Sequence, residues 1–96
     1  MSKSARFVLT VFKALTGRTV DGVSNAEIAT ALDASPVKVS RALKDLVDEQ
    51  LVEKLPTGRY AHSVHLQRIA EQTRAERDRA TARMQELNQR TTRTFG

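Results

Sequence analysis

The sequence predicts a mainly α-helical domain with one small β-hairpin and a long C-terminal helix. Three observations predict it. Apolar residues recur at helical spacing over residues 5–16. Two helix-start signatures, "SNAE" at 24–27 and "SPVK" at 35–38, begin eleven positions apart. An alternating stretch, "LVEKL", is followed by the turn "PTGR" and a second extended stretch, "YAHSV".

Taken in order, Phe7, Val8, Val11, Phe12 and Leu15 fall on one face of a first helix, which Gly17 ends. "GRTVDGV" then reads as a loop. Ser24 and Glu27 have capping-box spacing: the hydroxyl bonds the Glu27 amide and the carboxylate reaches back. The short helix that follows is expected to bury Ile28, Ala29 and Leu32, with Asp33–Ala34 as the turn. Ser35 is a second N-cap, with Pro36 at the first helical position, where its missing N–H costs nothing. That helix should run to about Gln50 and bury Val39, Leu43, Leu46 and Val47. From His65 the pattern is helical again with few apolar residues. The expected division is therefore a head over 1–64, a helix over 65–92 and a frayed tail over 93–96.

Composition narrows the function. Cysteine is absent, which excludes disulfides and thiolate metal sites. No apolar run approaches the ~20 residues that span a bilayer. The start, "MSKSARFVLTVFKAL", is basic and then apolar like a weak leader, but Lys13 interrupts it and its period is helical. An ordinary first helix in a cytoplasmic protein is the simpler reading. The net charge of +5 and pI of about 10.2 favour a polyanionic partner. The charge is uneven: residues 1–64 carry nine Lys+Arg against seven acids, and residues 65–96 carry seven Arg against four.

Helix, helix, tight turn, helix, hairpin is the order of a winged helix-turn-helix. In such a fold the second of the close pair enters a major groove about 12 Å wide, and its leading turn must be short or polar to approach base edges. "SPVKVSR" meets that requirement with Ser35, Lys38, Ser40 and Arg41, and Lys44 follows one turn on. Arg41 is suited either to guanine or to a phosphate. Arg59, beside Gly58 at the wing tip, is expected to reach a flanking phosphate or the minor groove.

From about residue 7 to residue 70 the chain resembles the DNA-binding domain of IclR-type transcriptional regulators. The matching stretches are "VLTVFKAL", "SNAEIATALDAS", "SPVKVSRALKDLVDEQLV" and "TGRYAHSVHLQRIA". The resemblance implies a winged helix-turn-helix that binds operator DNA as a dimer, with Lys38, Ser40 and Arg41 contacting DNA from the helix and Arg59 from the wing. Asp33 stands where the family often has glycine, Val37 where a small hydroxyl residue is usual and Ser40 where an aromatic is common. The family adds an effector domain that this sequence lacks, so no small-molecule effector is expected.

Along residues 65–92 the best heptad frame pairs Leu66, Thr73, Ala80 and Leu87 with Ala70, Arg77, Met84 and Thr91. That seam is too polar for a strong coiled coil. Leu66, Ile69 and Ala70 are expected to pack on the head, and Met84 and Leu87 to pair with a second chain. His62 and His65 have no third ligand nearby, so no metal site is expected. Nor is an active site or a cofactor: Ser24 and Ser35 read as caps, and no triad, phosphate loop or carboxylate pair stands out. The expected function is a nucleoid-associated regulator that binds duplex DNA as a homodimer and acts by operator occupancy. The alternative is a winged-helix protein-interaction module, favoured by Asp45, Asp48, Glu49 and Glu53 near the expected DNA face.

Overall fold

The computed structural model describes the backbone of residues 1–95 and the side chains of residues 1–92. The order is α1 (Lys3–Ala14), α2 (Asn25–Leu32), α3 (Pro36–Asp48), β1 (Val52–Lys54), β2 (Tyr60–His62) and α4 (Val64–Phe95). The protein is a winged helix-turn-helix with a long C-terminal helix.

Local chemistry sets the boundaries. Ser2 caps α1 through the Ala5 amide, so the helix starts two residues before the apolar period does. The α2 capping box is complete, with the Glu27 amide donating to Ser24 Oγ and the Ser24 amide to Glu27 Oε2. Asp33 ends α2 in the left-handed region, at φ 50°. Ser35 accepts from the Lys38 amide, and Pro36 occupies the first helical position of α3. Gln50 ends that helix with φ 64°, and the Leu51 amide returns to the Leu46 carbonyl in a Schellman closure.

The core lies where α1, α2 and α3 converge over the hairpin. Val11, Leu15, Ile28, Val39, Leu43 and Val52 are fully buried. Each contributes on the order of 1.5–3 kcal/mol through the area it removes from water. Phe7, Phe12 and Tyr60 close the rim of this cluster. One expectation for the packing fails. Val47 is exposed, because the buried stripe of α3 is centred on Val39, Ala42, Leu43 and Leu46, and residue 47 lies off its edge. Leu32 is half-buried and packs against the edge of the core cluster, so its expectation is met only in part.

β1 and β2 pair antiparallel, Val52 opposite His62 and Lys54 opposite Tyr60. The loop before α2 does more than connect. Val23 exchanges two backbone hydrogen bonds with Tyr60, at 2.8 and 2.9 Å, and so adds an isolated antiparallel bridge on the other side of β2. Gly22 makes this approach possible. At φ 73°, a Cβ there would lie 2.7 Å from the Tyr60 carbonyl oxygen.

Helix α4 starts from a side-chain cap that the sequence pattern conceals. Ser63, read as strand, is buried; its Oγ accepts from the Leu66 amide at 3.0 Å and donates to the Gln50 carbonyl at 2.5 Å. Leu66 is half-buried, but every residue from Gln67 to Thr92 is exposed. Ile69 and Ala70 therefore do not pack on the head, because α4 leaves it after one turn. The helix continues to Phe95; the side chains of the expected frayed tail, residues 93–96, lie outside the described residues.

Candidate nucleic-acid interface

Helix α3 turns one face to the core and the other to solvent. At 100° per residue, its outermost line is Val37, Arg41, Lys44 and Asp48. All four are exposed, Val37 by 60%. Lys38 and Asp45 flank this line on the side of α1, and Ser40 flanks it on the side of α2. Ser35, exposed, caps the leading turn.

The six residues singled out by sequence separate into three groups. Arg41 is exposed and makes no ion pair or hydrogen bond among the described residues, so its five donors are available. Lys44 is exposed and pairs with Asp48 at 2.9 Å, one turn on. Hydrogen bonding to that carboxylate, then its charge, raises the Lys44 pKa above its ordinary value. An exposed pair of this kind is weak and exchanges easily for another anion. Lys38 leans towards α1, its Nζ 4.8 Å from the centre of the Phe7 ring.

Ser35 and Ser40 serve the fold. Ser40 Oγ accepts a hydrogen bond from Asn25 Nδ2, which also donates to the Pro36 carbonyl at 3.3 Å. The start of α2 is thereby tied to the start of α3, and Ser40 acts in positioning the helix.

Arg59 departs most from expectation. Its guanidinium folds back from the wing instead of pointing outward. Nε donates to the Asp21 carbonyl at 3.1 Å, and Nη2 donates to the Gly22 carbonyl at 3.1 Å and to Glu27 Oε2 at 2.8 Å. The planar fork of arginine suits these divergent acceptors, which a lysine ammonium could not span. Glu27 is held below the usual carboxylate range, first by the hydrogen bond from Arg59 and also by the Ser24 amide. The wing base, the loop and the cap of α2 thus form one unit.

Sequence reasoning missed the contribution of α1. Lys3 and Arg6 lie beside Lys38 and Arg41, lining two adjoining hollows between α1 and α3. A cationic surface therefore runs from α3 onto α1. A basic first turn, "KSAR", is visible in the sequence, but its proximity to α3 depends on tertiary packing.

His62 is a structural residue: Nε2 lies 2.8 Å from the Phe12 carbonyl oxygen, and the ring stacks on Phe12 at 4.5 Å. Among the described residues no group of three His, Cys, Asp or Glu side chains converges on a metal position, and no helix is long and apolar enough to cross a membrane.

No protein-family model matches the chain, and no curated protein matches it. Among solved structures, a variant of ZitR from Lactococcus lactis is similar, with a TM-score of 0.45 and 20% identity over 91% of this chain and 59% of that one. The present chain thus spans about three-fifths of that protein's length, and the fold assignment stands on the element order and packing above.

Proposed function

We propose that the protein is a duplex-DNA-binding transcriptional regulator of IclR-like type, acting in the cytoplasm by operator occupancy. The observation that carries this reading is the leading half of α3. Its back is locked into the core, its outer line is exposed, and it presents an unpaired Arg41 with Lys38 and Lys44 on either side. Counterion release from these cations supplies affinity, and Arg41 and Val37 supply sequence choice. Arg41 has the fork for a guanine edge, and the exposed Val37 methyls suit a thymine methyl one turn earlier.

The head, residues 1–64, is the DNA-binding unit. α4 serves a second function, dimerisation. Helices in proteins owe most of their stability to packing, yet α4 is solvated along nearly its whole length. Ile69, Met84 and Leu87 are 44%, 57% and 45% exposed, and a second copy of the helix is the partner that would cover them. Local pairs such as Arg74–Glu71 support single turns only.

The protein-interaction alternative rests on Asp45, Asp48, Glu49 and Glu53. Asp48 is already occupied by Lys44, which leaves the leading half of α3 cationic.

The deciding experiment is titration of random and selected duplex DNA over a range of salt concentrations. A steep loss of affinity with salt supports the reading, and no binding at low salt rejects it. Arg41→Ala should weaken binding to a selected site by about 1–3 kcal/mol if it reads a base. Leu87→Asp should convert the dimer to monomer in sedimentation; a persisting dimer would place the interface away from α4.

A further inference from the structure

We infer that the amino-terminal half of α1 is a phosphate-binding ridge, so that the DNA footprint reaches across α3 onto α1. This inference rests on the DNA-binding reading and extends it to residues on a different helix.

Lys3, Arg6, Phe7 and Thr10 share one face of α1, at the i, i+3, i+4, i+7 spacing of a helical stripe. The same face borders the hollow that Lys38 closes from α3. A second hollow, bordered by Lys3, Phe7, Lys38 and Arg41, adjoins it. Four cations from two helices therefore stand along one continuous surface. Lys3, Arg6 and Arg41 form no ion pair among the described residues, and Lys38 has only the Phe7 ring. In a chain with eleven acids, a surface of this size without neutralisation is uneven use of charge. Asp45, which borders the second hollow, is the one carboxylate among the described residues that borders either of them.

The apolar floor supports the same conclusion. Phe7 is half-buried and holds the Lys38 stem across the gap towards α1. Lys38 is thereby turned away from the outer line of α3 and towards Lys3 and Arg6. A cation displaced sideways from the groove-facing line meets the sugar-phosphate strand that borders the groove. Lys3 and Arg6, one turn apart with long stems, match a repeating line of negative charge along that strand. The ligand is the phosphate backbone itself, with no requirement on base sequence.

The test is salt-dependent binding of the full chain to a random-sequence duplex, comparing wild type with Lys3→Ala/Arg6→Ala. Two lost phosphate contacts per protomer, four per dimer, should reduce the slope of log K against log salt by about 4, and weaken binding roughly eightfold per contact at about 0.1 M salt. Thermal unfolding should be unchanged, because both side chains are exposed. The charge-conserving swap Lys3→Arg/Arg6→Lys should restore the slope. If wild type binds and the double alanine variant keeps its slope, the ridge is refuted and the DNA-binding reading survives. A swap that fails to restore the slope also refutes it, since the effect would then not be one of charge. If wild type binds no duplex at low salt, both fall.

Discussion

Replacing Arg59 with alanine separates two roles that the sequence alone leaves indistinguishable. As a wing-tip cation, Arg59 would contribute to DNA binding and little to folding. The structure shows the reverse arrangement. Two of its three hydrogen bonds run to backbone carbonyls, of Asp21 and Gly22, and the third to Glu27. The side chain is 31% exposed, so solvent screens part of each interaction. Allowing about 1 kcal/mol for each carbonyl bond, below the full value for a charged donor, gives a loss of about 2 kcal/mol. In a domain of this size that is a fall in Tm of roughly 10 °C. Thermal unfolding followed by far-UV circular dichroism reads it directly. Arg59→Lys should recover only part, since one ammonium cannot reach all three acceptors. The salt slope of DNA binding should match wild type for any variant still folded. An unchanged Tm together with a slope lower by about 2, one contact per protomer of the proposed dimer, would refute the clamp and return Arg59 to the wing tip.

Three further outcomes follow from the backbone and the cap. Gln50→Gly should raise stability by about 0.5 kcal/mol, because relief of the left-handed conformation at φ 64° outweighs the added freedom of the unfolded chain; urea denaturation would show it as a higher midpoint. Gly22→Ala should cost about 2–3 kcal/mol, since the new methyl meets the Tyr60 carbonyl oxygen and the positive φ disfavours alanine; a melting temperature equal to wild type would contradict the close approach of loop and wing. Acid should weaken the wild-type fold through Glu27, whose folded-state pKa is depressed. Its contribution is complete above the unfolded-state carboxylate value and is lost as pH falls through the lower folded value. Urea midpoints of wild type and Glu27→Gln should therefore converge on acidification, and parallel curves would show that Glu27 is not the source.

What is legible in the sequence is local. Ser24 with Glu27, and Ser35 with Pro36, act over three residues or fewer, so their spacing alone places both caps and with them the start of α3. Arg59 is misread from sequence because its partners are distant: Glu27 lies 32 residues away and Asp21 38. A glycine-arginine pair in a turn looks the same whether the side chain points out or folds back. Ser63 is hidden for a related reason. Its hydroxyl serves both the carbonyl that ends α3 and the amide that starts α4, so its role exists only once the hairpin has brought residues 50 and 63 together. The α1 cations follow the same rule: nothing in "KSAR" indicates which helix will lie beside it.

The side-chain contacts that join the wing base to α3 converge on the first turn of α2. Arg59 joins the wing base to Glu27, Glu27 and Ser24 close the cap, and the adjacent Asn25 joins that cap to Pro36 and Ser40 at the start of α3. The wing and α3 are thus held in register through α2 by side chains that present almost no net charge: Arg59 is neutralised by Glu27, and Asn25 and Ser40 are neutral. The cations that the proposed function assigns to DNA, Lys3, Arg6, Lys38, Arg41 and Lys44, lie outside this junction. The two sets therefore act on different terms of the binding free energy. On the proposed function, loss of a junction residue should misalign α3 and weaken binding equally at every salt concentration, whereas loss of a ridge or outer-line cation should change the salt slope itself. The proposed regulation by operator occupancy would require both, because counterion release would hold the protein to any duplex and only a correctly held α3 could distinguish one site from another.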